Sequence, residues 1–225
     1  MSTKSLVALA AIGVLTFAHI RGLGPGRVVQ NTLATGKVVA LVVFLLVGFG
    51  IGRGQVANLG VSAPVDLNGM FLALIPVMFA YSGWNAASYV AEEIRDPGRN
   101  VPIALGLGTL VVIAIYLGLN TLYLYALGPS ALSTVMGTLV DTVAERLFGF
   151  VAGNVIAAFT IVSLLASISA MVLAGPRVYF AMARDGVFFE AMGRVHPRFR
   201  APTVAIVAQA IWSGVLVLSG NLSQV

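Results

Sequence analysis

The sequence predicts an all-α integral membrane protein with six transmembrane helices, the third of them broken. Three observations lead there. Of the 225 residues 59% are hydrophobic and 9% charged, and the mean hydropathy of +0.98 lies beyond the range of soluble domains. Six apolar stretches of bilayer-spanning length follow one another. Finally, the apolar run through Phe79 is interrupted at Ser82-Gly83 and closed by a charged turn ending at Pro102. Irregular backbone survives in hydrocarbon only where it lines a cavity or binds something, because each unpaired polar group there is costly.

The spans read 5–20, 28–52, 67–93, 101–127, 148–182 and 202–220. The first is short. Ahead of the second, Gly22-Leu23-Gly24-Pro25-Gly26 imitates a phosphate-cradling loop. No β-strand precedes it and Pro25 lacks an amide that such a loop needs, so it reads as a turn. Gly48, Gly50, Gly52 and Gly54 alternate at the far end of the second span, which suits close packing.

The third span is broken near 82–84. Leu67–Phe79 makes about 20 Å of helix and Asn85–Ile94 about 15 Å, each half a bilayer. The break therefore lies near the midplane, with free carbonyls ending the first half and free amides starting the second. Such carbonyls suit an ammonium or a cation. Gly83 leaves helical geometry without a Cβ penalty, while Tyr81, Trp84 and Asn85 supply walls and a polar handle. A Ser-Gly pair also serves as a kink or a packing surface, and the break alone leaves both readings open. The fifth span is longer than a bilayer requires, with Gly149 and Gly153 expected to mark an entry turn.

Ten of the thirteen basic residues fall on one set of alternate loops: Arg21, Arg27 and Lys37; Arg95 and Arg99; Arg177, Arg184, Arg194, Arg198 and Arg200. The positive-inside rule makes loops 21–37, 92–100 and 177–201 cytoplasmic and places both chain ends outside. An outward start behind Lys4 fits a fragment of a longer protein. Met1–Ala18 also has the outline of a signal peptide, but no small-x-small cleavage site follows. Loop 183–201, rich in Arg and aromatics, is expected at the lipid interface.

Several function classes recede. With no Cys there is no disulfide-linked subunit, thiolate metal site or Cys nucleophile. His19 and His196 lack metal-ligand spacing, so no metal is expected, and nothing calls for a cofactor. The net charge of +5 is explained by membrane topology rather than nucleic acid. No buried nucleophile with a base suggests an enzyme. Lys37 lies about 15 Å deeper than Arg27 in an apolar run, and intramembrane ionisable groups are functional suspects. A lysine there can also snorkel back to the interface. Ser163 and Ser167 lie one turn apart on the fifth span. Glu92 and Glu93 are candidates for a gate with Arg95 or another loop arginine, against the simpler reading of a solvated helix end.

Phe79-Ala80-Tyr81-Ser82-Gly83-Trp84-Asn85, then Glu92-Glu93-Ile94, then Arg99-Asn100-Val101-Pro102, resembles a known signature. It is similar to the sixth helix and following loop of amino acid permeases of the amino acid, polyamine and organocation superfamily, closest to the L-type branch. Upstream, Arg27-Val28-Val29-Gln30-Asn31 through Thr35-Gly36-Lys37 resembles the start of that family's fifth helix. Downstream, Pro176-Arg177 through Asp185-Gly186, then His196-Pro197 and Ala201-Pro202, resembles the end of the eighth helix and the loop into the ninth.

The resemblance implies helices four to nine of about twelve, in a LeuT-type fold of inverted repeats. It implies that carbonyls of Phe79, Ala80 and Ser82 hold a substrate's α-ammonium, with Tyr81, Gly83, Trp84 and Asn85 shaping the pocket. The family's partner amides come from a Gly-rich first helix outside this sequence. Lys37 matches a position where sodium-coupled relatives bind sodium, and Ser163 and Ser167 face the same region by that register. The implied function is secondary transport of an amino acid or related amine across the plasma (inner) membrane by alternating access. The alternative is a non-transporting relative that acts as a membrane solute sensor.

Overall fold

The computed structural model describes residues 3–60, 66–135, 138–149 and 152–220. Helix α1 (Thr3–Ile20) passes to α2 (Leu23–Ile51) through Arg21 and Gly22 alone. Gly22 has φ +110°, and a Cβ there would lie 2.6 Å from the Phe199 carbonyl oxygen. The turn expected over 22–26 thus contracts to two residues. Pro25 falls in the first turn of α2, where a missing amide breaks no helical bond.

Helix α3 (Leu67–Ala80) is started by Asp66, whose carboxylate accepts from the amides of Asn68 at 3.2 Å and Gly69 at 3.0 Å. Pro76 removes one bond of its ladder. After the break, Trp84–Glu93 winds as a 3₁₀ helix rather than the α-helix assumed from sequence. Ten residues is long for this geometry, which usually runs three or four and marks a hinge or local strain.

Helix α4 (Pro97–Leu127) opens with proline in its first turn, behind Asp96 in the left-handed region at φ 47°. Short α5 (Pro129–Leu132) and α6 (Leu139–Phe148) follow. Helix α6 is absent from the sequence reading: with ten residues including Asp141, Glu145 and Arg146, it escapes any search for long apolar runs. Gly149, at φ +82°, ends it. Gly153, expected to share that turn, is already inside α7 (Ala152–Arg184). Because α7 continues to Arg184, Arg177 and Arg184 are helix residues rather than loop residues. Helix α8 (Thr203–Ser219) closes the described chain.

All regular structure among the described residues is helical. Five helices are long and apolar enough to cross a membrane: α1, α2, α3 with its 3₁₀ continuation, α4 and α7. Helix α8 is a shorter apolar helix of 17 residues. The chain is a multi-spanning, all-α membrane protein.

Two compact units are distinguishable. In the unit formed by 1–36, 89–93 and 162–225, α1 runs along α8. Val172, Ala201 and Ile206 form its core with Ile20 and Ile168 against them. Buried His19 and Ser169 meet at 3.0 Å, tying α1 to α7. Gly26 makes this possible, since a Cβ there would sit 2.6 Å from the imidazole Nδ1.

In the unit formed by 37–88 and 94–161, the core joins Leu122 and Ala126 of α4 to Val143 and Leu147 of α6. Phe44 and Leu45 of α2 pack against it, with Phe44 edge-on to Phe148 at 6.1 Å. Gly48 lets α2 approach closely: a Cβ there would lie 2.8 Å from both Leu122 methyls. Gly48→Ala is therefore expected to destabilise by about 1–3 kcal/mol through overpacking, and Leu122→Ala by about 2–5 kcal/mol through a cavity. Combined, they should cost less than the sum, because each relieves the other. Heat-denaturation midpoints of the four proteins in detergent measure this, and strict additivity would refute the contact.

Candidate functional site

The break is built by three backbone choices. Helix α3 ends regularly, with the Tyr81 amide donating to the Val77 carbonyl at 3.1 Å. The chain then tightens, as the Ser82 amide donates to Phe79 at 3.0 Å, a step of three residues instead of four. Gly83 follows at φ +83°, and its carbonyl accepts from Ala86 at 3.0 Å to begin the 3₁₀ segment. Nothing lies within 4 Å of where a Gly83 Cβ would stand, so the glycine is required by its backbone conformation and not by crowding.

The carbonyl of Ala80, one of the last four of α3, accepts from the Tyr116 hydroxyl of α4 at 3.2 Å. The Tyr116 ring also meets that of Tyr81, with centroids 5.1 Å apart and planes tilted 52°. Beside the break lies a hollow of about 730 Å³, lined by Met78, Tyr81, Ser82 and Trp84 on one side and Leu105, Gly106, Thr109 and Leu110 of α4 on the other. That is the size of a small-molecule site, mostly apolar with a few hydroxyls.

The sequence-expected residues divide as follows. Tyr81, Ser82 and Trp84 line the hollow, and Gly83 supplies the turn between them. Phe79 and Ala80 contribute carbonyls, which accept from the Ser82 amide and the Tyr116 hydroxyl respectively, while Phe79 is 80% exposed. Asn85 is half-buried, and its carbonyl accepts from the Ser88 hydroxyl at 2.7 Å. Lys37 is half-buried on α2 in the second unit, whereas Ser163 and Ser167 belong to α7 in the first. The Ser167 hydroxyl donates to the Ser163 carbonyl at 3.1 Å, within its own helix.

Glu92 and Glu93 do meet arginines, but those of α7. The Arg177 Nε and Nη2 reach the two Glu93 oxygens at 2.9 and 3.1 Å in a bidentate pair, and Arg177 also donates to the Leu173 carbonyl. Its side chain is 8% exposed and that of Glu93 31%, so this charge pair is largely shielded from solvent. Arg184 pairs with Glu92 at 3.1 Å, with 56% and 74% exposure. Arg95 forms no ion pair among the described residues; its carbonyl instead accepts from the Asn100 side chain.

Sequence reasoning missed Tyr116 and the α4 wall, and offered Arg177 and Arg184 to Glu92 and Glu93 only among the other loop arginines. The signal for α4 was present: Thr109 and Tyr116 are seven residues apart, two turns on one face, in an otherwise apolar helix.

The amino acid permease family profile matches residues 2–223. Among curated relatives, the serine/threonine exchanger SteT of Bacillus subtilis is 30% identical over 220 residues, covering 97% of this chain and 50% of that protein. The b(0,+)-type amino acid transporter 1 of Oryctolagus cuniculus is 25% identical over 221 residues, 96% of this chain and 45% of that protein. The methylthioribose transporter of B. subtilis is 27% identical over 202 residues, 88% and 42% respectively. The chain spans about half the length of these relatives. A broken apolar helix with paired carboxylates at its end, and a family match over nearly every residue, lead to one conclusion: the chain belongs to the amino acid permease family of the amino acid, polyamine and organocation superfamily.

Proposed function

We propose that this chain is part of an L-type-like secondary transporter that moves amino acids across the plasma membrane by alternating access. Its six spans, α8 included, correspond on this reading to helices four to nine of about twelve in a LeuT-type inverted-repeat fold, with loops 21–37, 92–100 and 177–201 cytoplasmic. The observation that carries the proposal is the interruption of α3 beside a hollow of substrate size. Carbonyls of Phe79, Ala80 and Ser82 receive the ammonium, and Tyr81, Gly83, Trp84 and Asn85 shape the space around the side chain.

The test is binding by the full-length protein in lipid vesicles across the twenty L-amino acids. Methylthioribose, which has no amine, is included because one relative is named for it. Binding of an amino acid is expected; binding of none would overturn the proposal. Gly83→Ala should weaken that binding about tenfold, from the roughly 1–2 kcal/mol that a Cβ costs in the left-handed region, since no neighbour obstructs it. Unchanged affinity would separate the site from the break.

The gate is assigned to Glu92 and Glu93, held by Arg184 and Arg177. Breaking the shielded pair with Arg177→Gln should cost about 3–5 kcal/mol, whereas Arg184→Gln should cost at most about 1 kcal/mol. Thermal midpoints rank the two variants, and equal losses would refute the asymmetry. Lys37 is assigned to coupling, with Ser163 and Ser167 as further candidates. Lys37→Ala should abolish the dependence of uptake on an imposed proton gradient, and retained dependence would remove Lys37 from the mechanism.

A further inference from the structure

The last carbonyls of a helix lack partners in their own ladder, and in a bilayer each needs one from elsewhere. At the end of α3 the chain itself serves Val77 and Phe79 through the amides of Tyr81 and Ser82. The Ala80 carbonyl is served differently, by a side chain from another helix, the Tyr116 hydroxyl at 3.2 Å. Tyr116 is half-buried on the face of α4 that carries Thr109 into the hollow. Its ring is braced against Tyr81, the residue that follows Ala80.

We propose that Tyr116 is a positioning residue for substrate recognition: its hydroxyl holds the Ala80 carbonyl in place so that the oxygen's second lone pair accepts from the substrate's ammonium. This rests on the reading of the break as an amine site. A carbonyl oxygen has two lone pairs, and a phenol has one proton to give, so the hydroxyl occupies one position and leaves the other. Two donors on one oxygen do not reinforce each other, so the hydroxyl acts by fixing where the carbonyl points rather than by making it a stronger acceptor. The tilted stack on Tyr81 restrains the phenol, so the donor is in place before substrate arrives and little ordering remains to be done on binding. Nothing in this arrangement recognises a carboxylate or a side chain. The contribution of Tyr116 is therefore specific to the amine.

That specificity is the test. Tyr116→Phe keeps the ring against Tyr81 and removes only the hydroxyl. In the full-length protein, affinity is measured for the L-amino acid that binds wild type most tightly and for its des-amino counterpart, the carboxylic acid with hydrogen in place of the amine, which has no donor for the carbonyl. Tyr116→Phe should bind the amino acid about three- to tenfold more weakly, the equivalent of one hydrogen bond. KM should rise by the same factor with the maximal rate within about twofold of wild type, and affinity for the des-amino acid should not change. Asn120→Ala, which removes an exposed side chain bonded to the Tyr116 carbonyl at 2.8 Å, should leave both affinities alone. Wild-type affinity in Tyr116→Phe would overturn the inference while leaving the amine site standing. Equal losses for the two ligands, or the same loss in Asn120→Ala, would reduce Tyr116 to packing and also overturn it. Failure of wild type to bind any of the twenty amino acids would instead bring down the underlying reading.

Discussion

The structure depends on one constraint: inside a bilayer no backbone amide or carbonyl can turn to water, so every departure from helical pairing has to be met by protein. The break after Ala80 shows how this chain meets it. A three-residue step satisfies Phe79, a left-handed glycine redirects the chain, a tyrosine from α4 satisfies Ala80, and a 3₁₀ ladder resumes at Gly83. Each of these departures is local. What results is a stretch of backbone that is irregular yet held, beside open space of ligand size.

The same constraint shapes how the helices are joined. Apolar faces gain little from leaving lipid for one another, so contact relies on close approach and on polar ties. Gly26 and Gly48 provide close approach, one against an imidazole and the other against Leu122. The His19–Ser169 contact and the Gln209 amide, which donates to the Met171 carbonyl at 3.2 Å, provide ties between α7 and its neighbours. Polar side chains thus appear at helix contacts for a structural reason, which is why His19 need not be a ligand of anything.

How much of this was legible in the sequence follows from what each feature requires. The interruption was visible because Ser82-Gly83 stands in a long apolar run, whereas the helix start at Pro97 was not, since the charged stretch up to Asn100 reads as a loop. The winding of Trp84–Glu93 was not, since 3₁₀ and α segments share composition and differ only in hydrogen bonding. Helix α6 escaped because it is short and charged on one face, a pattern that composition alone reads as a loop. Tyr116 escaped, and Arg177 was not singled out from the other loop arginines, for a different reason: their roles exist only once α4 lies beside α3 and α7 beside the 3₁₀ tip. Tertiary pairing of that kind leaves little trace in a single chain.

The 3₁₀ winding at Tyr89–Glu93 has a further consequence for alignment. Successive side chains on such a helix point about 120° apart. Glu92 and Glu93 therefore diverge, which lets adjacent residues reach arginines that stand two turns apart on α7. A slip of one residue would bring Ala91 or Ile94 to one of those arginines and leave a guanidinium without its carboxylate. The two unequal pairs thus act as the teeth of a key, admitting the segment to α7 in a single axial register.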